Sequence, residues 1–265
     1  MEERYIKGSD GRKLRLLIFK GKKTSEKLPA YLWFHGGGYA MGSPEMAGFY
    51  AERLIAASPC IMIAPDYSLS TEKPYPAALE DAYASLYWLF QEADDLGIRR
   101  EQIFVGGDSA GGGLAASLSL YARDKGEINI AFQTPLYPML DDRMETASAK
   151  MSKDPAWNPK MNEIAWRMYL GDLKEATSYA APAREEDFKG LPPTYTFVGD
   201  LEIFHDETIA YIEKLKKAGV SAKIDVYKGC YHGFDRTATA VGEEAVQGLV
   251  EAYLYARKHY FSKQK

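Results

Sequence analysis

Residues 105–113, Val-Gly-Gly-Asp-Ser-Ala-Gly-Gly-Gly, dictate more about this chain than any other stretch. They follow a short apolar run at residues 102–105 that predicts a strand, and they lead into small side chains and leucines at 114–122 that predict a helix. Serine with glycine two positions before and two after is the G-x-S-x-G elbow pattern. The demand is steric: at so tight a reversal, side chains at Gly107 and Gly111 would collide with neighbouring backbone, and glycine avoids this. The turn lifts the Ser109 hydroxyl clear of the sheet. It also leaves the Ala110 amide at a helix N-terminus, where unpaired N–H groups favour developing negative charge. A nucleophile suits that position. The same pattern arises by chance in glycine-rich loops, so the rest of the chain has to decide.

Taken in order, residues 4–6 and 13–19 read as two strands joined by a turn at Ser9-Asp10-Gly11, and the lysine-rich residues 20–27 as a solvated loop. Residues 30–34 are an apolar run suited to a strand buried on both faces, ending in His35-Gly36-Gly37-Gly38-Tyr39. Consecutive glycines let backbone N–H groups converge on one point, as an oxyanion hole requires; they serve equally as a hinge. A helix over 45–57, a strand over 61–64, a helix over 76–93 and a strand over 128–134 follow. Residues 141–190 break the rhythm with Asp154-Pro155 and Asn158-Pro159 turns and a helix over 161–170. They read as an inserted helical lid whose Trp157, Trp166, Met168 or Tyr169 either wall the site or pack the insertion onto the body. Alternation resumes with a strand over 194–198, a helix over 203–218, a strand over 222–227 and a helix over 241–260.

Such alternation predicts one α/β domain over residues 1–265, with a mostly parallel sheet of about eight strands, helices on both faces, and ligands beyond the carboxyl ends of the strands. Gly199-Asp200-Leu201-Glu202 follows one late strand and Gly229-Cys230-Tyr231-His232-Gly233-Phe234 follows the last. The chain order is therefore serine, acid, histidine, one of the orders in which such triads occur.

Composition excludes several classes. With 46% hydrophobic and 26% charged residues and a formal net charge of -4, neither nucleic acid nor an anionic membrane is an expected partner. No apolar run is long enough to span a bilayer, and Met1-Glu2-Glu3-Arg4 leads into no apolar segment, so a cytoplasmic protein is expected. Cys60 and Cys230 are too few and too scattered for a disulfide framework or a zinc site, and no metal is expected. Assembly into a homo-oligomer is left open.

The signatures His35-Gly36-Gly37-Gly38, Gly107-Asp108-Ser109-Ala110-Gly111-Gly112 and His232-Gly233-Phe234 together resemble the hormone-sensitive-lipase-like branch of the α/β-hydrolase esterases, from about residue 30 to the end of the sequence. The resemblance implies an α/β-hydrolase fold and hydrolysis of small carboxylic esters without a cofactor. It implies Ser109 as nucleophile, His232 as base, and the Gly37, Gly38 and Ala110 amides as the oxyanion hole. Aligning Asp206-Glu207 and Ala218-Gly219-Val220 with the family places Glu202 where relatives carry the triad aspartate, with Asp200 as the fallback. Two further departures stand out. The 34 residues before His35 are too few for the larger helical cap of many relatives, which implies a more open pocket, and Ser68 replaces a common arginine, which puts a local ion pair in doubt. Tyr39, Met41, Trp157 and Trp166 suggest a short apolar acyl pocket taking acetyl to hexanoyl groups. An amidase, a formamidase, an acyltransferase or a non-catalytic receptor on the same scaffold are the alternatives. His205 is expected at the surface, Cys230 in packing, Asp108 in orienting the elbow or neighbouring loops through hydrogen bonds, and His35 in bracing the glycine loop.

Overall fold

In the computed structural model, which describes residues 1–8, 11–21 and 25–264, the chain opens with the antiparallel pair β1 (Glu2–Lys7) and β2 (Lys13–Lys20). Ser9 and Asp10 of the expected turn lie outside the described residues, as do Lys22, Lys23 and Thr24 of the lysine-rich loop. Next come β3 (Leu28–Phe34), α1 (Gly48–Ala57), β4 (Ile61–Pro65), α2 (Ala77–Gln91), the short α3 (Ala93–Leu96), β5 (Ile98–Asp108) and α4 (Ala110–Lys125). The second half runs β6 (Phe132–Leu136), α5 (Ala147–Met151), α6 (Pro159–Leu170), β7 (Thr194–Gly199), α7 (His205–Lys217), β8 (Ala222–Tyr227) and α8 (Ala240–His259). The eight strands form one sheet in the order β1-β2-β4-β3-β5-β6-β7-β8, parallel from β4 to β8.

All seven residues of β3 are buried, because helices cover both faces of the sheet at that point. Successive side chains alternate between the faces. Ala30, Leu32 and Phe34 pack with Leu79 and Leu86 of α2 and Leu114 and Leu118 of α4, whereas Tyr31 and Trp33 pack with Tyr50 and Leu54 of α1 and Leu249 and Tyr253 of α8. Each such large side chain contributes about 1.5–3 kcal/mol on burial, and this two-sided core fixes the strand register.

Helix α4 begins at Ala110, directly after the elbow serine, although three glycines in its first turn are poor helix formers. Packing overrides propensity there: a Cβ on Gly111 would overlap the Phe34 carbonyl and one on Gly113 the Met139 carbonyl. Strand β6 starts at Phe132 rather than 128, because the backbone of Asn129 is paired with the C-terminal tail through Gln264 Oε1 (3.1 Å) and Ser262 Oγ (2.8 Å). The helix expected over 45–57 starts as a 3-10 turn at Pro44–Ala47.

The ion pair that Ser68 put in doubt is supplied from elsewhere. Ser68 donates from its amide (2.9 Å) and hydroxyl (2.7 Å) to Asp81 Oδ2, and Arg12, reaching over from the start of β2, pairs with the same carboxylate. No helix among the described residues is long and apolar enough to cross a membrane.

Candidate active site

The candidate nucleophile, acids, histidine and oxyanion-hole residues all lie in the stretches that follow the carboxyl ends of strands. Ser109 lies between β5 and α4 at φ 58°, ψ -120°, a conformation that side chains rarely adopt and that persists only when neighbours hold it. Its amide donates to the Leu136 carbonyl (3.0 Å), and its carbonyl accepts from Gly113 (3.0 Å) and Met139 (3.1 Å). The steric demand read from the sequence is met, since a Cβ on Gly107 would overlap Gly111 and one on Gly111 would overlap Phe34 and His35.

β3 hands over to the glycine loop, with Gly37 at φ 115° and Gly38 at φ 60°. The Gly37 carbonyl accepts from the Ala40 and Met41 amides at 3.1 Å each. Beneath the loop His35 stacks on Tyr67 with ring centroids 4.3 Å apart, and its Nδ1 donates to the Gly36 carbonyl at 2.8 Å. Burial pushes the His35 imidazole pKa down, which keeps the ring neutral in its bracing position. Among the described residues the N–H groups of Gly37, Gly38 and Ala110 have no protein acceptor, as donors kept for a ligand would have to be.

Loops after β7 and β8 bring Glu202 and His232 together. The His232 Nδ1–H donates to Glu202 Oε2 at 2.6 Å, and His232 Nε2 lies 2.9 Å from Ser109 Oγ. Glu202 is turned inward because its other oxygen accepts the Gly199 amide at 2.8 Å. Asp200, the fallback acid, is exposed and instead accepts the Gly229 amide at 2.7 Å, so it braces the histidine loop. His205 pairs with the adjacent Asp206 at 2.8 Å, and Cys230 is a buried free thiol. Trp33 Nε1 donates to Asp108 at 3.4 Å.

Tyr137 and Phe204 set ring edges against the imidazole, with centroids 4.8 and 5.1 Å away. Burial alone would lower the His232 pKa. The charge and hydrogen bond of Glu202, together with the charges of Asp154 and Asp108, outweigh burial, and the pKa stands above the ordinary histidine value. Burial raises the Glu202 carboxyl above the usual carboxylate range, an effect His232 opposes.

The four expected pocket residues are placed unequally. The Trp157 ring and Ala165 lie against Gly38, where an added Cβ would press into the indole. Tyr39 is buried and stacks on Tyr169 at 3.8 Å, with Trp166 beside both, so these rings join the glycine loop to α6. Met41 is 56% exposed. One residue was missed: Asp154, assigned only to a turn, is buried and accepts the His232 backbone amide at 2.7 Å. Its turn is legible, because an aspartate before proline favours a local turn, but its distant partner is not.

An imidazole that donates Nδ1–H to a carboxylate presents a lone pair at Nε2, here within reach of a hydroxyl proton. A serine, an acid and a histidine at strand ends of a mostly parallel sheet, in that chain order, define the α/β-hydrolase class. Residues 31–236 match the family described as alpha/beta hydrolase fold, and the chain belongs to that family. Esterase LipI of Mycobacterium tuberculosis is 35% identical over 228 residues, 84% of this chain and 71% of its own. Carboxylesterase NlhH of the same species is 29% identical over 248 residues, 91% of this chain and 77% of its own. Among solved structures, a bacterial heroin esterase superposes with a TM-score of 0.93 at 35% identity, covering 96% of this chain and 83% of that one. A hyperthermophilic esterase from Pyrobaculum calidifontis gives 0.89 at 32% identity, covering 95% and 84%. Within the family the chain is a carboxylic ester hydrolase.

Proposed function

We propose that this enzyme is a serine carboxylesterase that hydrolyses short-chain esters through an acyl-enzyme, with Ser109 as nucleophile, His232 as base and Glu202 as the triad acid. The reading rests above all on the unbroken hydrogen-bonded chain from Ser109 Oγ through the imidazole to Glu202 Oε2. His232 takes the Ser109 proton as the oxygen attacks the ester carbonyl, then returns it to the departing alkoxide, and Glu202 holds the tautomer and stabilises the imidazolium. The Gly37, Gly38 and Ala110 amides receive the oxyanion, each donor contributing about 3 kcal/mol in comparable sites. Water then attacks the acyl-enzyme by the same route.

Residues 141–190 act in this reading as a lid over a single α/β-hydrolase domain. Trp157, pressed against Gly38, forms one wall of the acyl site; Tyr39 and Trp166 stiffen that wall from behind, and Met41 stands at its rim. A wall so close to the oxyanion loop favours acetyl to hexanoyl groups over longer chains.

The test is hydrolysis of a chromogenic ester series, acetyl through long-chain, by wild type and Ser109→Ala, with matched amides alongside. Turnover that peaks on short esters and vanishes in Ser109→Ala supports the reading. Efficient turnover of emulsified long-chain triglyceride overturns the acyl-length assignment, amide turnover exceeding ester turnover moves the enzyme to the amidases, and activity surviving in Ser109→Ala overturns the triad.

A further inference from the structure

We propose that Asp154, in the segment between α5 and α6, is a positioning residue for His232, so that the insertion sets the geometry and the charge of the base. The inference rests on the triad reading given above.

The loop that carries His232 leaves β8 at Tyr227 and contains glycines at positive φ on both sides of the histidine, Gly229 at 72° and Gly233 at 75°. Such a loop has little conformational stiffness of its own. It is tied at its start, where the Gly229 amide donates to Asp200 and the Cys230 carbonyl accepts from Leu201 at 3.2 Å. The His232 amide itself is held by Asp154 Oδ2 at 2.7 Å. The other Asp154 oxygen accepts the Ala156 (2.8 Å) and Trp157 (3.2 Å) amides, so the same side chain fixes the turn that lays the indole against Gly38. One carboxylate thereby joins the base, the insertion and the wall of the oxyanion loop.

The same part of the chain is also bonded to the Glu202 loop: Ser148 Oγ, in α5, donates to the Ile203 carbonyl (2.9 Å) and Ser152 Oγ, just after it, to the Leu201 carbonyl (3.1 Å), both flanking Glu202. Asp154 is 1% exposed and has no ion pair among the described residues. Three backbone N–H groups, of His232, Ala156 and Trp157, donate to it in place of a cation. The charged groups facing the His232 ring are Glu202 from the loop after β7, Asp154 from the insertion and Asp108 from the end of β5; Tyr137 contributes an uncharged edge, and the nearby Asp235 is bonded to the Tyr50 (2.8 Å) and Tyr137 (2.9 Å) hydroxyls. Asp154 is thus a fixed negative charge that favours the imidazolium formed during each proton transfer.

A neutral carboxamide cannot reproduce this arrangement. In Asp154→Asn one of the three N–H groups meets an NH2 group, and the charge is gone. We expect kcat to fall about 10- to 100-fold, the range a small misplacement of a reacting group produces, with KM for a short ester within about twofold. The acid limb of kcat/KM should move to lower pH. Asn158→Ala, which removes the cap on α6 that Asn158 Oδ1 gives the Met161 amide (3.1 Å), loosens the insertion without touching His232 and should lower Tm while leaving that limb in place. Asp154→Glu, which keeps the charge, should restore the position of the limb at least in part.

A folded Asp154→Asn variant with kcat and acid limb unchanged overturns the inference, and so does a loss of kcat with an unmoved limb, which is the signature of a merely structural role. Hydrogen exchange on the unmutated protein gives a check that needs no variant to fold: the His232 amide should be protected, and exchange at the rate of an exposed loop amide overturns the proposal. Ser109→Ala belongs in the same series. Activity surviving in Ser109→Ala overturns the triad and this inference together, whereas an inactive Ser109→Ala beside an unchanged Asp154→Asn overturns this inference alone.

Discussion

Glu202→Gln tests the acid assignment through a conflict of donors and acceptors that can be worked out atom by atom. In the native arrangement both carboxylate oxygens accept, Oε2 from the His232 Nδ1–H at 2.6 Å and Oε1 from the Gly199 amide at 2.8 Å. Glutamine has one acceptor and one NH2 group in the same space. If the carbonyl faces His232, the NH2 meets the Gly199 N–H, leaving a buried donor unpaired at a cost of about 1–3 kcal/mol. If the carbonyl faces Gly199, the NH2 donates to Nδ1, the proton moves to Nε2, and the ring can no longer accept from Ser109. That second arrangement avoids the buried clash and should prevail. A wrong tautomer costs about 10⁴-fold in kcat, equivalent to about 5.5 kcal/mol of transition-state stabilisation. Burial, unopposed by the carboxylate, then drives the imidazole pKa down, so the residual activity should keep its acid limb at lower pH than wild type. The assay is kcat and kcat/KM on a short chromogenic ester across pH, with Asp200→Asn in parallel. Because Asp200 is exposed and its side chain bonds only the Gly229 amide among the described residues, Asp200→Asn should stay within about tenfold of wild type. Glu202→Gln retaining a tenth or more of kcat, or Asp200→Asn losing as much as Glu202→Gln, would refute the reasoning.

Other perturbations reach different parts of the argument. Gly111→Ala places a methyl group against the Phe34 and His35 carbonyls, neither of which can rotate away, and should cost about 3 kcal/mol or more by denaturant unfolding; an unchanged midpoint would remove the steric account of the elbow. In wild type, His232 must be neutral to accept a proton, and its raised pKa means that activity is lost on the acid side with a midpoint above about 6.5; a midpoint below that value in a pH-rate profile contradicts the dominance of the surrounding carboxylates over burial. Arg12→Met leaves the buried Asp81 carboxylate held by the Ser68 amide and hydroxyl without its cation and should destabilise the fold by about 1–2 kcal/mol, a figure held down by the part-exposed guanidinium, while kcat of the folded enzyme stays the same.

What could be read from the sequence depended on how local each requirement is. The elbow and the glycine loop were legible because the conformations of Ser109, Gly37 and Gly38 exclude most side chains within a few residues of the chain. The choice between Glu202 and Asp200 needed the family alignment, since both acids follow β7, and what separates them is tertiary: Glu202 turns inward onto the Gly199 amide and His232, whereas Asp200 is exposed and holds the Gly229 amide. Asp154 was invisible for the opposite reason: its decisive partner is 78 residues away and is a backbone amide, which leaves no trace in residue type. The start of β6 is hidden for a similar reason, because Asn129, inside the expected strand, is met by the C-terminal tail. Tyr39 and Trp166 looked like pocket walls from composition, and the stack with Tyr169 is a matter of tertiary packing that periodicity alone does not reveal.

The sheet order explains why an insertion should bear on the base at all. The glycine loop rises from β3, Ser109 from β5, the insertion from beyond β6, Glu202 from β7 and His232 from β8, and these strands are neighbours in that order. Adjacent strands lie about 4.8 Å apart, so the root of the histidine loop is about 14 Å from that of the serine, farther than a side chain spans. The loop must therefore lean back across β7 and β6 to place Nε2 within 2.9 Å of the hydroxyl. The sheet can hold such a loop only at its root. An element that follows β6 supplies the missing ties: Ser148 and Ser152 bond the Glu202 loop while Asp154 bonds the His232 amide. A chain with the same elbow, glycine loop and triad but a differently built insertion would have to hold the histidine amide by other means, and its sensitivity to substitution would lie at those other residues.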